Sequence, residues 1–474
     1  MSTSPDLCII GAGTLGTDLA LYARRQGASV VLADRGEDEP GDAAQRALRL
    51  AALFESARRA EDIRRAANLG LGPSEFKLSA KQIAGRANRL VENRIRASAP
   101  EVLGANGVTV VRGAVSFIDA RSLLVGDVTI KPRKILIAIG SESVVPDIAG
   151  LGESGAFTPD SILDNQRKLT HLVIIGSDAA AIEQAQLQRR LGAAVTLVPG
   201  GELLAGFDPE GVAMLLSVLA SEGISVRKGA RVVAVNRRSQ GIGIEIEAPE
   251  GARDVLDASH ILVSAGRKAD LEALDIAKAR LKPGDDPARP LLRGSLGATS
   301  SRNIRLAGAA AGADNWGAAR AHGRAAIDIL LGGRKAGVKV AIPCLVETEP
   351  AIAEIRSVAS SGRSHSEETI LRENLAENDR AAAMGVDQGL VKVALDSRGH
   401  ILKATVVAPQ ASELAGVLAL AMSDRLKLSD LADLPLPQPS LFSVFSRLAE
   451  NHLALSGVSH EGRGRGALRR LLRP

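Results

Sequence analysis

The amino-acid sequence predicts an α/β protein with two tandem doubly wound units, followed by a C-terminal α+β domain. Three observations lead to this prediction. A strand, glycine turn, helix and strand open the chain at Leu7, the same plan restarts near Lys168, and antiparallel strands with helices begin at about Val338. A chain of 474 residues has room for about three domains.

The first unit carries a dinucleotide-binding fingerprint. The apolar run from Leu7 to Ile10 is typical of a buried parallel strand, and the turn GAGTLG follows at 11–16. A helical stretch and a second strand come next, and Asp34 closes that strand. Strand, GxGxxG, helix, strand and acidic residue in this order form the Rossmann fingerprint in its structural context.

Each residue type in this fingerprint has a physical role. Gly11 makes the tight turn, Gly13 lets the backbone approach a pyrophosphate at the helix N-terminus, and Gly16 lets helix and strand pack closely. Asp34 can accept hydrogen bonds from a ribose hydroxyl pair. The predicted cofactor-binding residues here are Gly11, Ala12, Gly13, Thr14, Leu15, Gly16, Asp34 and Arg35.

The second unit repeats the plan with a changed phosphate turn. Its strand, Leu172 to Gly176, leads into the turn GSDAAA, in which only the first glycine is kept. Asp178 stands at the position of closest phosphate approach. Two like charges about 4 Å apart repel by roughly 4 kcal/mol at an effective dielectric of 20. Pro199 lies where the ribose-binding acid is expected, so NAD(P)H binding in the standard pose is doubtful.

Two further regions are predicted from local pattern. The stretch from Ala43 to Ala67 is rich in Ala and Arg and should be a helix whose arginines form a solvated face. The C-terminal domain should contain antiparallel strands backed by helices. Its predicted strands are Leu390–Leu395 and Ile401–Val407, and its predicted helices are Ala411–Asp424 and Leu441–Leu453.

Residues 6 to about 455 resemble the pyridine nucleotide-disulfide oxidoreductases, which include dihydrolipoamide dehydrogenase, glutathione reductase and mercuric reductase. The motifs that carry the resemblance occur in the family's order. They are GAGTLG at 11–16, A-x-G at Ala138–Gly140, SAGR at Ser264–Arg267, Gly308 at the second FAD motif, and Thr348-Glu349-Pro350 in the dimerisation domain.

The resemblance implies an FAD-binding homodimer and adds four cofactor-binding residues, Ala138, Gly140, Gly308 and Ala309. It also implies the domain limits. Residues 1–150 and 270–337 would form the FAD-binding domain, 151–269 an NAD(P)-binding-like domain, and 338–456 the dimerisation domain, with a basic tail at 457–474.

The chain departs from the family pattern at positions that carry chemistry. Ala43 and Leu48 stand where the family has its C-x4-C redox disulfide, so dithiol exchange is not possible there. Gln438 replaces the family's proton-transferring His and does not titrate. Ala309 replaces the Asp that bonds the ribityl chain of FAD, which removes a charge-assisted hydrogen bond of about 1.5–3 kcal/mol.

Glu183 matches a family helix carboxylate whose usual lysine partner is replaced by Ala52. It is expected either to be solvated or to find an arginine of the first long helix. Two functional hypotheses fit these observations. In the first, the protein is a divergent flavoprotein whose redox chemistry occurs at the flavin alone. In the second, it is a catalytically inactive paralogue that acts as a dimeric scaffold or regulatory partner. A metal-handling role has no support in the sequence.

Composition limits the other possibilities. Aromatic residues make up 2% of the chain, which argues against a stacking surface for nucleic acid. Cys8 and Cys344 have no metal-site or disulfide spacing, and the longest apolar run is too short to span a bilayer. We therefore expect a cytoplasmic protein. The net charge is +5, and the arginine-rich tail is either a frayed terminus or a contact for an acidic protein or a membrane surface.

Overall fold

The computed structural model describes residues 2–36, 43–72, 75–95, 100–284, 286, 289–313, 315–333, 341–357 and 369–455. The chain divides into two compact units. The first unit contains residues 1–64, 74–203 and 223–338, and the second contains residues 65–73, 204–222 and 339–474.

Helices and strands are numbered in chain order. The helices are α1 Thr14–Arg25, α2 Ala43–Arg65, α3 Ala80–Ile95, α4 Pro100–Ala105, α5 Ala179–Arg190, α6 Pro209–Ser221, α7 Trp316–Leu330, α8 Asp379–Ala383, α9 Ala411–Ser423 and α10 Ser443–Leu455. The strands are β1 Ser2–Thr3, β2 Leu7–Ile10, β3 Val30–Asp34, β4 Val108–Arg112, β5 Val115–Asp119, β6 Ser122–Val125, β7 Val128–Ile130, β8 Lys134–Ile137, β9 Glu142–Ser143, β10 His171–Gly176, β11 Ala194–Val198, β12 Ser225–Val226, β13 Arg231–Arg237, β14 Ile242–Glu247, β15 Arg253–Ala258, β16 His260–Ser264, β17 Arg267–Lys268, β18 Ile304–Leu306, β19 Cys344–Val346, β20 Ala351–Arg356, β21 Thr369–Asn374, β22 Leu390–Leu395 and β23 Ile401–Ala408.

A five-stranded parallel sheet is the centre of the first nucleotide-binding fold. Its order is β18-β8-β2-β3-β4, and Leu7 to Ile10 are paired on both sides, with β3 and with β8. All four residues of β2 are buried, as the continuous apolar run predicts for a strand covered on both faces. Helices α1 and α7 pack on one face through Leu19, Ala23 and Ile327.

The second nucleotide-binding fold repeats this plan on a smaller scale. Four parallel strands lie in the order β12-β11-β10-β16, and α5 connects β10 to β11. An antiparallel sheet, β13-β14-β15, packs beside it. Ile242, Ile244 and Ile246 are buried along β14, while Glu245 and Glu247 are half-exposed, as the alternation of the sequence predicts.

The second unit is built on a five-stranded antiparallel sheet in the order β19-β20-β23-β22-β21. Helices α9 and α10 cover it and enclose a core that includes Leu418 and Phe445. Helix α6 also belongs to this unit. Lys392 Nζ lies 3.0 Å from a carboxylate oxygen of Asp208, the residue that caps α6.

The predicted fold class is confirmed: two parallel nucleotide-binding sheets and a C-terminal α+β domain are present. The domain limits stay a prediction. The basic tail at 457–474 lies outside the described residues. Across the described ranges, no helix combines the length and the apolar character needed to span a membrane.

Candidate functional site

Three glycine-containing segments meet at the carboxyl edge of the first sheet. Gly11, Ala138 and Gly308 follow the neighbouring strands β2, β8 and β18. Ala138 N–H donates to Ile10 O at 2.8 Å, so the A-x-G turn begins beside the glycine-rich turn. Because ligands of open parallel sheets bind at the carboxyl ends of the strands, this edge is the candidate cofactor site. Gly140 ends the A-x-G turn, and Ala309 directly follows Gly308.

The first turn is too tightly packed for side chains at two positions. Gly11 has φ +108°, and a β-carbon there would lie 2.4 Å from the carbonyl oxygen of Ala138. A β-carbon on Gly16 would lie 1.8 Å from the carbonyl oxygen of Gly11. The fingerprint glycines are therefore needed for the close passage of helix, turn and strand, as the sequence predicts.

The N-terminus of α1 has no side-chain cap. Gly13 is the capping residue, with an extended backbone at φ −60° and ψ 175°, and it has no side chain to accept from the first turn. Ala12 and Leu15 pack against the apolar core of the sheet. The positive end of this helix is thus able to receive an anion such as a pyrophosphate.

Asp34 ends β3 and its carboxylate already has partners. It accepts from Gly36 N–H at 3.0 Å and from Arg112 Nε at 3.2 Å. Arg112 has 63% of its side chain exposed, so this ion pair is screened by water and contributes little. Ribose hydroxyls could replace it at small cost. Arg35 follows on the exposed side.

The second turn has the same backbone path but a filled helix N-terminus. Asp178 caps α5, with φ −84° and ψ 176°. One of its carboxylate oxygens accepts from Ala181 N–H at 2.9 Å and from Ser264 Oγ at 2.7 Å. A phosphate bound in the standard way would use the same helix N-terminus.

The sequence-based prediction for Asp178 is a repelling charge alone and lacks this capping role. The signal was available, since Asp directly before an alanine-rich helix is a typical N-cap pattern. Ser264, the serine of the SAGR motif, is 3% exposed, so its hydroxyl relies on this carboxylate.

The expectation that the arginines of α2 form a solvated face is wrong for two of them. Arg46 Nε lies 3.1 Å from a carboxylate oxygen of Asp160, and Arg49 Nη1 lies 2.7 Å from one of Asp164. Helical periodicity places Arg46 and Arg49 one turn apart on one side of α2. Their acidic partners come from a distant segment, which sequence pattern alone does not bring to the helix.

Arg267 extends this cluster towards the A-x-G turn. Its Nη1 donates to both carboxylate oxygens of Asp160, at 3.0 and 2.9 Å. Its other nitrogens donate to Ser141 Oγ at 2.9 Å and to Ser141 O at 2.5 Å. Asp160 also accepts from Ser143 Oγ at 3.0 Å. Arg267 and Asp160 thus join the first turns of α2 to the segment that follows Gly140.

The two residues that the sequence resemblance matches to the family's redox cysteines both lie on α2. Ala43 is the first residue of α2 and Leu48 lies in its second turn. Cys8 is buried in β2 and Cys344 is exposed in β19, and the two do not form a disulfide. Burial raises the pKa of Cys8 to about 12, so this thiol is not a nucleophile near neutral pH.

The segment that the sequence resemblance matches to the family's proton-transfer motif precedes α10. Gln438 is exposed in this chain, and its bond to Pro439 is cis. Ser443, five residues later, donates to Ser440 O at 2.8 Å and accepts from Asn378 Nδ2 at 3.0 Å. Its hydroxyl is used to fix the start of α10.

Glu183 and His322 are buried or half-buried groups on helices. Glu183 is only 9% exposed, so the solvated alternative is wrong. His322 lies on α7, and burial lowers the pKa of its imidazole. In the described part of the chain, no group of three His, Cys, Asp or Glu side chains is placed to hold a metal.

Two parallel sheets with glycine turns at their carboxyl edges define a protein with two dinucleotide-binding folds. The chain belongs to the pyridine nucleotide-disulphide oxidoreductase family, whose model matches residues 5–323, and the model of that family's dimerisation domain matches residues 362–449.

Relatives cover nearly the whole chain. A mercuric reductase of Streptomyces lividans is 29% identical over 91% of this chain and 92% of its own length. A dihydrolipoyl dehydrogenase of Thermus scotoductus is 26% identical over 94% and 96%. Among solved structures, LpdA of Mycobacterium tuberculosis superposes with a TM-score of 0.81 at 24% identity, over 95% of this chain and 99% of that one. This last likeness concerns the fold.

Proposed function

We propose that this protein is an FAD-binding flavoprotein whose redox chemistry occurs at the flavin without a disulfide relay. The observation that carries the proposal is the contrast between the two helix N-termini. At α1, Gly13 leaves the helix end without a side-chain cap, whereas at α5 the carboxylate of Asp178 fills it. The N-terminus of α1 can therefore accept a phosphate, whereas a side chain of the protein already occupies the N-terminus of α5.

The residues of the first site fit FAD. Gly11, Gly13 and Gly16 supply the close-packed turn at which a pyrophosphate would bind, and Asp34 supplies an acceptor for ribose. Ala309 has no side-chain acceptor for the ribityl chain, so the adenosine-pyrophosphate end would provide most of the binding. When bound, FAD supplies a group that accepts and donates hydride or single electrons.

Disulfide reduction of the family type needs groups that this chain replaces. The relatives' names point to mercuric ion and dihydrolipoamide as substrates of those proteins. Here Ala43 and Leu48 offer no thiolate, and Gln438 offers no titrating base. Cys8 lies in a core strand with a raised pKa. We therefore propose that reduction of such substrates by a dithiol is absent.

The second nucleotide-binding fold is proposed to bind NAD(P)H weakly. Ala181 N–H, which would face a phosphate at the start of α5, donates to Asp178 instead. A phosphate approaching this end would also meet the negative charge of the carboxylate. Reduction of bound FAD by NADH or NADPH should accordingly be slow.

The test is the visible spectrum of freshly purified protein, followed by anaerobic addition of NADH and then NADPH. A flavin absorption band that bleaches slowly or little supports the proposal. A flavin-free protein that also does not take up added FAD would refute it and favour the alternative, a dimeric scaffold or regulatory partner. The family's redox cysteines and proton-transferring His are jointly replaced by Ala43, Leu48 and Gln438. This joint replacement favours that alternative as the second candidate.

We also propose a homodimer and a cytoplasmic location. The match to the dimerisation domain supports the first, because such domains bury their apolar surface against a two-fold mate. Cysteines that form no disulfide, such as Cys8 and Cys344, are usual in a reducing compartment. The basic tail is proposed as a contact for an acidic protein or membrane surface, and no nucleic-acid partner is proposed. Light scattering that gives a monomer mass at micromolar concentrations would contradict the dimer.

A further inference from the structure

The second unit, which contains neither glycine turn, has a cavity of about 290 Å³. It lies between the hairpin turn that joins β22 to β23 and the C-terminal end of α9. Ile401, Leu402 and Met422 form its apolar lining. The polar lining includes Arg398, His400 and Arg425. A cavity of this size admits a small molecule or an inorganic ion.

The guanidinium groups of two arginines, Arg398 and Arg425, line this cavity. Neither the Arg398 nor the Arg425 side chain has a hydrogen bond or ion pair with any of the residues that the structure describes. Other arginines of the same unit do have partners: Arg372 lies 2.7 Å from Glu210, and Arg447 lies 3.7 Å from Glu373. Both residues are exposed, so their guanidinium groups are accessible to an anion from solvent, and a bound anion would reduce the repulsion between them.

The backbone at Arg425 strengthens this observation. Arg425 has φ +57°, a left-handed conformation that glycine adopts at lower cost. It follows the end of α9, and Leu426 N–H donates to Ala421 O at 2.9 Å to close the helix. A glycine would end the helix at a lower conformational cost. The arginine at this position therefore points to a role for its side chain.

Asp396, the carboxylate among the described lining residues, does not neutralise the arginine side chains. One oxygen of Asp396 accepts the backbone N–H groups of Arg398 and His400, both at 2.9 Å. Its other oxygen lies 3.0 Å from His400 Nδ1. Asp396 therefore shapes the hairpin turn and orients the imidazole. With Nδ1 engaged in this way, Nε2 is the ring nitrogen left for a ligand.

We propose that this cavity binds a small phosphate-type dianion, held by the guanidinium groups of Arg398 and Arg425 with His400 beside them. Guanidinium groups match the oxygen geometry of a phosphate and can bind it with two parallel hydrogen bonds. The cavity exceeds the size of a bare phosphate, and Leu402 and Met422 give the remaining space an apolar wall. A small phosphate monoester therefore fits the lining better than inorganic phosphate.

Calorimetry on the full-length protein tests this site with two probes, inorganic phosphate and glycerol 3-phosphate. Binding of either probe is expected to weaken by about tenfold or more in Arg398→Gln and again in Arg425→Gln, because each change removes a charged hydrogen-bond donor. Arg380→Gln is the matched control. Arg380 is an exposed arginine of α8 in the same unit and does not line the cavity. Its variant should bind as the wild type does.

Thermal unfolding of the same variants guards against a folding defect. Phosphate should raise the Tm of wild type and Arg380→Gln, but not that of the double variant Arg398→Gln/Arg425→Gln. Tighter binding of glycerol 3-phosphate than of inorganic phosphate would identify a phosphate monoester as the class of ligand. Absence of binding by wild type at about 10 mM of either probe, which corresponds to a Kd weaker than the millimolar range, overturns the proposal. Equal binding by wild type and the double variant overturns it as well.

Discussion

Replacement of Asp178 by glycine should make the N-terminus of α5 accessible to the phosphate of a bound nucleotide. The change removes the carboxylate that accepts from Ala181 N–H and restores glycine at the point of closest phosphate approach. The gain in nucleotide-binding free energy is at most the repulsion between two like charges about 4 Å apart, roughly 4 kcal/mol at an effective dielectric of 20. Because Asp178 is only half-buried, water screens much of it, and we expect NADH and NADPH to bind about ten- to a hundredfold more tightly.

The same change should lower stability. A glycine cap costs only a few tenths of a kcal/mol relative to Asp. The larger loss is at Ser264, whose buried hydroxyl donates to Asp178 at 2.7 Å and would lose that acceptor. An unmade buried hydrogen bond costs about 1–3 kcal/mol. We therefore expect the free energy of unfolding to fall by about this amount while nucleotide affinity rises.

Asp178→Asn is the matched control, because asparagine keeps a capping oxygen and removes the charge. It should retain most of the stability and show part of the gain in nucleotide affinity. Calorimetry with NADH and NADPH measures affinity, and chemical denaturation measures stability. If wild type already binds either nucleotide at low micromolar Kd and neither variant changes it, the reasoning about this turn is wrong.

Three further predictions follow from the first site and its surroundings. Asp34→Ala should release FAD or lower its occupancy, and Ala309→Asp should raise it, as measured by the flavin absorbance that remains after dialysis. The purified protein should show no dihydrolipoamide, glutathione or mercuric-ion reductase turnover, and turnover comparable to an active family member that survives substitution of both cysteines by serine would refute this. Arg267→Lys should lower the free energy of unfolding by about 1–3 kcal/mol through loss of the two-oxygen contact with Asp160. Arg49→Lys, at a pair whose acid is 57% exposed, should change it by less than about 1 kcal/mol.

Local pattern was enough for several of the elements and for the first turn. The helix predicted at 43–67 is present as Ala43–Arg65, and the strand Leu390–Leu395 has its predicted limits. The glycine roles at Gly11 and Gly16 follow from sequence because turn, helix and strand are contiguous in the chain. These features depend on residues within about one βαβ unit of each other.

The arginines of α2 show why the remaining contacts could not be predicted. A helix with many arginines and a weak apolar side has several orientations that expose charge to water. The orientation that exists is fixed by Asp160 and Asp164, more than a hundred residues away in sequence. Arg267, a further hundred residues along, binds Asp160 at the same place. No periodicity within α2 carries information about such partners.

The proposed closure of the second nucleotide turn leaves the fold of that turn intact. A helix N-terminus has unsatisfied N–H groups and a partial positive charge, and a bound phosphate satisfies both. Asp178 satisfies both from within the chain, through Ala181 N–H and the neighbouring Ser264 hydroxyl. Substitution of the phosphate-contacting glycine by alanine would leave the helix end without an acceptor. Aspartate instead supplies one, so the second nucleotide-binding fold stays stable with no nucleotide present. The side chain that is expected to exclude NAD(P)H is thus also the one that stabilises the empty turn, and the opposite effects of Asp178→Gly on affinity and on stability have this single origin.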